Sequence, residues 1–335
     1  MDNKGLIPPG LAYLADNITS KGNLLGAARG AGARWAKDLK LPRQAETILF
    51  AGCGYQFSSE LESLMSLIRR IDKSAVSTEM AMSLAGFQKR LGIDAAGMYR
   101  RLMARDKDDG AQPLRDAIKV LKKIGIEIGY LGDEEPCCGG LLHYIGLHND
   151  FNRHARETHD RLVSAGAKRI ISLVPSCTYT LRNLIPASTG LQGVEVSHFC
   201  EVVAENIASV ELSWHGEVKV AYHDPCQLVR YLGLVEEPRR ILKAIKGMEL
   251  VENELTSGRW ATCCGGGGGF EAVFPELSQI LAVNRARELV ETGAELIVTH
   301  CPGCIMQLET GLKEIKAGSV KVLDLAQVVA MAMEG

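Results

Sequence analysis

Short apolar runs recur along the chain, each followed by a polar or glycine-rich break and then by residues with apolar positions at helical spacing. Thr47-Ile48-Leu49-Phe50, Val218-Lys219-Val220-Ala221-Tyr222, Met248-Glu249-Leu250-Val251, Leu296-Ile297-Val298-Thr299 and Val320-Lys321-Val322-Leu323 are predicted strands. Arg239 to Ile245 sets Ile241, Leu242 and Ile245 on one helical face. Pro275 to Val290 is a predicted helix with proline in its first turn, where the missing N–H costs nothing. A last helix follows the final strand. Strands alternating with helices predict an α/β fold with parallel sheets. In such sheets ligand loops lie just beyond the strand ends.

The pattern occurs twice. Lys168 to Cys177 aligns with Glu295 to Cys304 at an offset of 127, so that Pro175 meets Pro302 and Cys177 meets Cys304. Cys137-Cys138-Gly139-Gly140 aligns with Cys263-Cys264-Gly265-Gly266 at an offset of 126, and Cys53 is the counterpart of Cys226. A period this long means two copies of one domain rather than a solenoid. The expected division is an extension over residues 1–45, a first unit over 46–210 and a second over 211–335.

Two stretches fall outside the repeat. The apolar residues of 1–45 are scattered, which predicts a segment lying along a surface and suited to docking a partner. Residues of about 60–110 lengthen the first unit. There Leu61, Leu64, Leu67, Ile68 and Ile71 have the spacing of an amphipathic helix, with more helix expected between Met80 and Met103 around Phe87, Leu91 and Met98.

Composition narrows the function. The 335 residues suffice for two domains, and 46% hydrophobic content fills substantial cores. A net charge of −2 and 5% aromatics supply neither a basic field nor a stacking platform for nucleic acid. No apolar run is long enough to span a membrane. The opening Met1-Asp2-Asn3-Lys4-Gly5 lacks the charged-then-apolar pattern of a secretion signal, so a cytoplasmic location is expected.

Ten cysteines in such a chain stay reduced and point to metal or redox chemistry. Vicinal pairs also make poor disulfides. Cys226, Cys263, Cys264, Cys301 and Cys304 stand on three segments, with 36 residues between Cys226 and Cys263 and again between Cys264 and Cys301. Thiolates in this number suit an iron–sulfur cluster. A conventional cubane takes four, so the fifth either bridges two irons, is a free reactive thiol, or is inert. Gly265, Gly266 and Gly267 let backbone N–H groups come close to sulfur; the run lacks the Lys-Ser/Thr of a phosphate loop. Zinc is the lesser alternative: Cys226, Cys264, Cys301 and Cys304 would make a tetrahedral site, which leaves Cys263 without a role. In the first copy Cys53, Cys137, Cys138 and Cys177 remain, and Val174 stands where Cys301 does in the second. Four thiolates suffice for a cluster or zinc; the other reading is a damaged, empty site. Cys200, opposite Ala326 in the repeat, reads as a small packing residue. His223 and His300 flank ligand positions. Each either donates a proton to a substrate sulfur, hydrogen-bonds a cluster, or is satisfied by backbone. Asp224-Pro225 is predicted to shape a turn.

The series Cys226…Cys263-Cys264-Gly265…Cys301-Pro302-Gly303-Cys304, repeated in weaker form upstream, resembles the cysteine-rich CCG domain pair. That pair defines the catalytic subunit of heterodisulfide reductase and related subunits of glycolate, lactate and sulfur-metabolising systems. The resemblance covers about residues 46–335. It implies two Rossmann-like domains related by a pseudo-twofold. It also implies a noncubane [4Fe–4S] cluster on Cys226, Cys263, Cys264, Cys301 and Cys304, and a second cluster on Cys53, Cys137, Cys138 and Cys177. Val174 departs from the paired arrangement. The implied activity is electron transfer to or from a disulfide, thiol or persulfide, with Cys263 and Cys264 at the reacting cluster. The alternatives are an electron-relay subunit without thiol chemistry and a zinc-binding structural scaffold. With no ferredoxin motif here, the implied partners are a separate ferredoxin-like subunit and a flavoprotein or membrane electron-transfer subunit. The implied substrate is a small thiol or disulfide, or a protein sulfur carrier.

Overall fold

The structure is a computed structural model, and it describes residues 6–72 and 109–334. Expectations for Met80 to Met103 lie outside the described residues.

Among the described residues, seven strands form two all-parallel sheets. The first has the order β1 (Thr47–Phe50), β2 (Arg169–Ser172), β3 (Glu195–His198). The second has the order β5-β4-β6-β7, built from β4 (Ser213–Tyr222), β5 (Lys246–Val251), β6 (Leu296–Thr299) and β7 (Lys321–Asp324). The repeat is visible in the register. Thr47 to Phe50 pair with Arg169 to Ser172, as Val220 to Tyr222 pair with Leu296 to Val298. Even the missing fourth strand leaves a trace: Gly129 exchanges backbone hydrogen bonds of 2.8 Å with Thr47 and Leu49, the place β5 takes beside β4.

Most predicted elements appear within a residue or two. β4 is longer than its apolar run, because the polar Ser213–Glu217 portion is joined through a register shift before Val218. The helix Glu236–Ala244 buries Ile241 and Leu242, and Pro275–Val290 is a helix with proline at its start.

The extension is partly helical, with one buried face. Pro9–Lys21 is a helix whose Tyr13, Leu14, Ala15 and Ile18 are buried, and Trp35 joins the same core. One face of the helix, with Ala12, Asp16 and Thr19, stays exposed, while Ala15, Ile18 and Trp35 enter the core that holds residues of both units. The predicted amphipathic helix is Ser58–Asp72, with Leu64 buried. One apolar core runs from Ile48 and Leu114 through Phe199 to Val329, and the helix Leu325–Ala332 packs on the helix Gln112–Lys123. The two units therefore share a core, which holds their strand ends in fixed relation.

A two-centre cysteine site

The loops beyond the strands converge on a cavity of about 360 Å³ between the units. Cys53, Cys137, Cys138 and Cys177 face it from one side, and Cys226, Cys301 and Cys304 from the other. Gly266 and Gly267 complete the wall on the second side, while Leu14, Ile18, Leu24, Leu64 and Met306 make much of the remainder apolar. A volume of this size fits a small molecule.

Each centre is built alike. Cys53 opens the helix Gly52–Gln56, Cys177 lies in the helix Pro175–Tyr179, and Cys304 lies in the first turn of Pro302–Glu314. Cys226 immediately precedes a π-helical turn, Gln227–Tyr231. The vicinal pairs differ in place: Cys137-Cys138 lines the cavity, whereas Cys263-Cys264, which follows β5 by a loop that includes the short turn Gly258–Trp260, is not part of its lining. A glycine N–H turns back onto the first sulfur of each pair, Gly139 onto Cys137 at 3.4 Å and Gly265 onto Cys263 at 3.3 Å. Gly265 has φ +83°, and a Cβ there would meet the Ser278 carbonyl at 2.3 Å, so glycine is required. Its carbonyl is held by Ser278 Oγ at 2.7 Å and by Gln307.

The second sulfur of each pair collects donors. Cys138 is held well below the usual thiol range by Cys137 and then Cys177, and Cys264 by Cys263 and then Cys304. Cys264 and Cys304 sulfurs stand 3.3 Å apart. Cys226 is pushed up by burial and then by the charge of Cys301. All ten cysteines are free thiols. Thiols from three loops at each centre, with N–H groups aimed at sulfur, fit an iron–sulfur group.

The centres differ. All four cysteines of the first are buried, whereas Cys226, Cys263 and Cys301 of the second are partly exposed. Val174 is buried beside Cys177, and its methyl would lie 2.9 Å from a Cβ on Gly52. By the repeat it stands where Cys301 stands in the second centre.

The two histidines go to different places. A ring nitrogen of His223 lies within 4.8 Å of the Cys264 and Cys304 sulfurs. Its Nδ1 accepts a hydrogen bond from Arg285 Nε at 3.0 Å. A neutral ring with bare Nδ1 carries its proton on Nε2 and has no second lone pair for a metal. His223 is thus not a ligand of a tetrahedral zinc site. His300 does not line the cavity. It sits behind Cys301, its Nδ1 2.7 Å from Asp324 Oδ1, with its ring 5.0 Å from that of His198. Asp224 does more than shape a turn: both its oxygens bond Arg239, at 2.8 and 2.9 Å, and it accepts the Gly258 N–H at 2.7 Å. Cys200 is buried as expected, with its sulfur 3.0 Å from His198 Nδ1.

Three supports belong to no sequence motif. Glu135 accepts from the Ala51 and Gly52 N–H groups at 2.9 and 2.8 Å and from Gln56 at 2.7 Å, bracing the Cys53 loop. Burial lifts its carboxyl to about 8 against those donors. Tyr55 and Arg285 are the others. The acidic run Asp133-Glu134-Glu135 just before the first vicinal pair is the one available hint of Glu135.

Two parallel sheets with cysteine loops beyond their strands define a duplicated cysteine-rich fold. The cysteine-rich domain (CCG) family matches residues 102–182 and 220–309, and the chain belongs to that family with two copies. It is 33% identical over 221 residues to a subunit of the dihydromethanophenazine:CoB–CoM heterodisulfide reductase of Methanosarcina barkeri, covering 64% of this chain and 54% of that protein. It is 35% identical over 227 residues to the EtfAB:quinone oxidoreductase of Syntrophomonas wolfei, covering 65% of this chain and 31% of that protein. The chain thus spans about half, or less, of the length of these relatives. A hypothetical protein from Helicobacter pylori has the same fold over 67% of this chain and 46% of its own, with a TM-score of 0.50 and 15% identity. No helix among the described residues is long and apolar enough to cross a membrane.

Proposed function

We propose that the chain is an iron–sulfur oxidoreductase subunit that exchanges electrons with a disulfide, thiol or persulfide at its second centre. The observation that carries this is the cavity between the two centres, walled by apolar side chains and reached by partly exposed Cys226 and Cys301. Cys226, Cys263, Cys264, Cys301 and Cys304 would hold a noncubane [4Fe–4S] cluster. Cys53, Cys137, Cys138 and Cys177 would hold a second group, either iron–sulfur or zinc. The clusters would supply one-electron steps and a surface for sulfur.

Reducing a disulfide consumes two electrons and two protons and releases two thiols. The protein's part is to admit the disulfide into an apolar, water-poor space and to hold one sulfur against the second centre. Electrons enter from a separate ferredoxin-like subunit; a flavoprotein or membrane electron-transfer subunit stands further along. The subunit itself would be cytoplasmic, with any membrane contact peripheral. The heterodisulfide reductase relative supports this reading. The EtfAB:quinone oxidoreductase relative supports a second one, a relay that passes electrons without touching thiols, and the buried first centre suits it.

Anaerobic purification with iron and sulfide counting, followed by EPR with and without thiols, separates them. A new signal on adding thiol, with turnover of a disulfide, is expected. Intact reduced clusters that respond to no thiol or disulfide would leave the relay, and zinc without iron or sulfide would remove both.

A further inference from the structure

Arg285 is the bulkiest fully buried side chain among the described residues, at 1% exposure. It lies on the helix Pro275–Val290 and is fastened at several points. Nη1 bonds the Thr256 carbonyl at 2.9 Å and Glu288 at 2.8 Å, and Glu288 also receives the hydroxyl of Thr262, the neighbour of Cys263. Its Nε points at His223 Nδ1. Guanidinium has donors only and keeps its charge. Nδ1 must therefore be bare, and a doubly protonated ring would set two cations face to face. That leaves Nε2 as the ring nitrogen that carries the N–H.

That nitrogen is buried and has no hydrogen-bond partner, while the ring approaches the Cys264 and Cys304 sulfurs. A buried N–H without an acceptor is costly, and a thiolate or cluster sulfur supplies one.

Among the described residues the first centre has no such pair: its buried His154 has Nε2 2.7 Å from the Cys137 carbonyl rather than turned to a sulfur. At the offset of 173 that aligns Cys53 with Cys226, His223 corresponds to Phe50. At the offset of 127, Arg285 corresponds to Thr158, whose hydroxyl goes to the Cys137 carbonyl. The asymmetry at Val174 thus has a counterpart in hydrogen bonding.

We propose that Arg285 is a positioning residue, fixing His223 as an Nε2–H donor to the sulfurs of the second centre and so raising the reduction potential of the group held there above its value without that donor. Hydrogen bonds to cluster sulfur offset the extra negative charge of the reduced state. The inference rests on the reading that the second centre holds an iron–sulfur group, and it does not require thiol turnover.

The test is an anaerobic EPR-monitored redox titration of the holoprotein with R285M and R285Q. R285M should lower the midpoint of the second-centre signal and leave the first unchanged. R285Q, whose amide still has an N–H for Nδ1, should stay near the parent. An unchanged midpoint in R285M would overturn the proposal. Should R285M fail to take up iron, the parent protein decides. ENDOR before and after exchange into D2O should show an exchangeable proton coupled to the second-centre signal, lost in H223F. Its absence in the parent would sink the idea. A shifted midpoint without any disulfide turnover would remove the proposed function and keep this inference. Zinc in place of iron would remove both.

Discussion

Tyr55, two residues beyond Cys53, donates its hydroxyl hydrogen bond to Asp324, which caps the last helix of the other unit. The same carboxylate holds His300, the neighbour of Cys301, at 2.7 Å and the Ala326 N–H at 2.8 Å. One carboxylate buried at 0% exposure therefore ties the Cys53 loop of the first centre to the Cys301 loop of the second. Burial, and then Asp324, lift the Tyr55 phenol well above its usual range, so it stays a donor.

Removing that donor should loosen the joint between centres. Y55F leaves one Asp324 oxygen buried without its hydroxyl, at a cost of about 2 kcal/mol. D324A strips partners from Tyr55, His300 and the helix cap together and should cost about 3–5 kcal/mol. Urea unfolding of the anaerobic holoprotein measures both. Equal stability of Y55F and the parent would show that the contact contributes nothing.

The first centre suggests how to convert the second. C301V gives the second centre the ligand set of the first. Iron should be retained on the four remaining thiolates, while the thiol-dependent EPR signal disappears. Disulfide turnover should fall by more than the about 10–100-fold expected from losing an outer contact. Retention of the thiol signal in C301V would show that the fifth thiolate has no part in it.

Glycines of the run after Cys264 should not be equivalent. G265A forces a left-handed backbone on alanine, about 1–2 kcal/mol, and drives its methyl into the Ser278 carbonyl at 2.3 Å. It should lose most second-centre iron. G268A has a similar φ of +63° but nothing within 4 Å, so it should cost only the same backbone penalty of about 1–2 kcal/mol and keep its iron. Iron-to-protein ratios of the two variants decide whether close approach or mere flexibility is needed.

Much of this was legible in the sequence because it is local. Runs such as Leu296 to Thr299 announce strands, and the cysteines follow in short loops, so the repeat aligns them without a structure. The supports were not legible because they join distant positions with no shared period. His223 and Arg285 are 62 residues apart, and Tyr55 and Asp324 are 269 apart. The buried face of Pro9–Lys21 was also hidden, since Tyr13, Leu14 and Ile18 sit among alanine, asparagine and threonine. What buries that helix is the cavity wall it completes, which only the tertiary structure shows.

Acid should destabilise the fold through His198. Its Nδ1 accepts the Cys200 N–H that caps the helix Phe199–Asn206, and Nε2 lies 3.1 Å from the Leu173 carbonyl, so the ring is neutral and fully used. Burial, then the nearby His300 and also Arg182, hold it well below the usual histidine range. The unfolded chain takes up a proton near about 6.5; the folded chain refuses it until well below that. Unfolded molecules thus bind more protons as pH falls, and the stability present above about 6.5 is lost below it, by up to about 1.4 kcal/mol per pH unit. H198N keeps a capping oxygen and cannot titrate. Unfolding free energies of parent and H198N, measured from pH 8 to pH 5, should differ in slope by close to one proton at the acid end. Parallel slopes would mean that the His198 ring is protonated as readily in the folded chain as in the unfolded one.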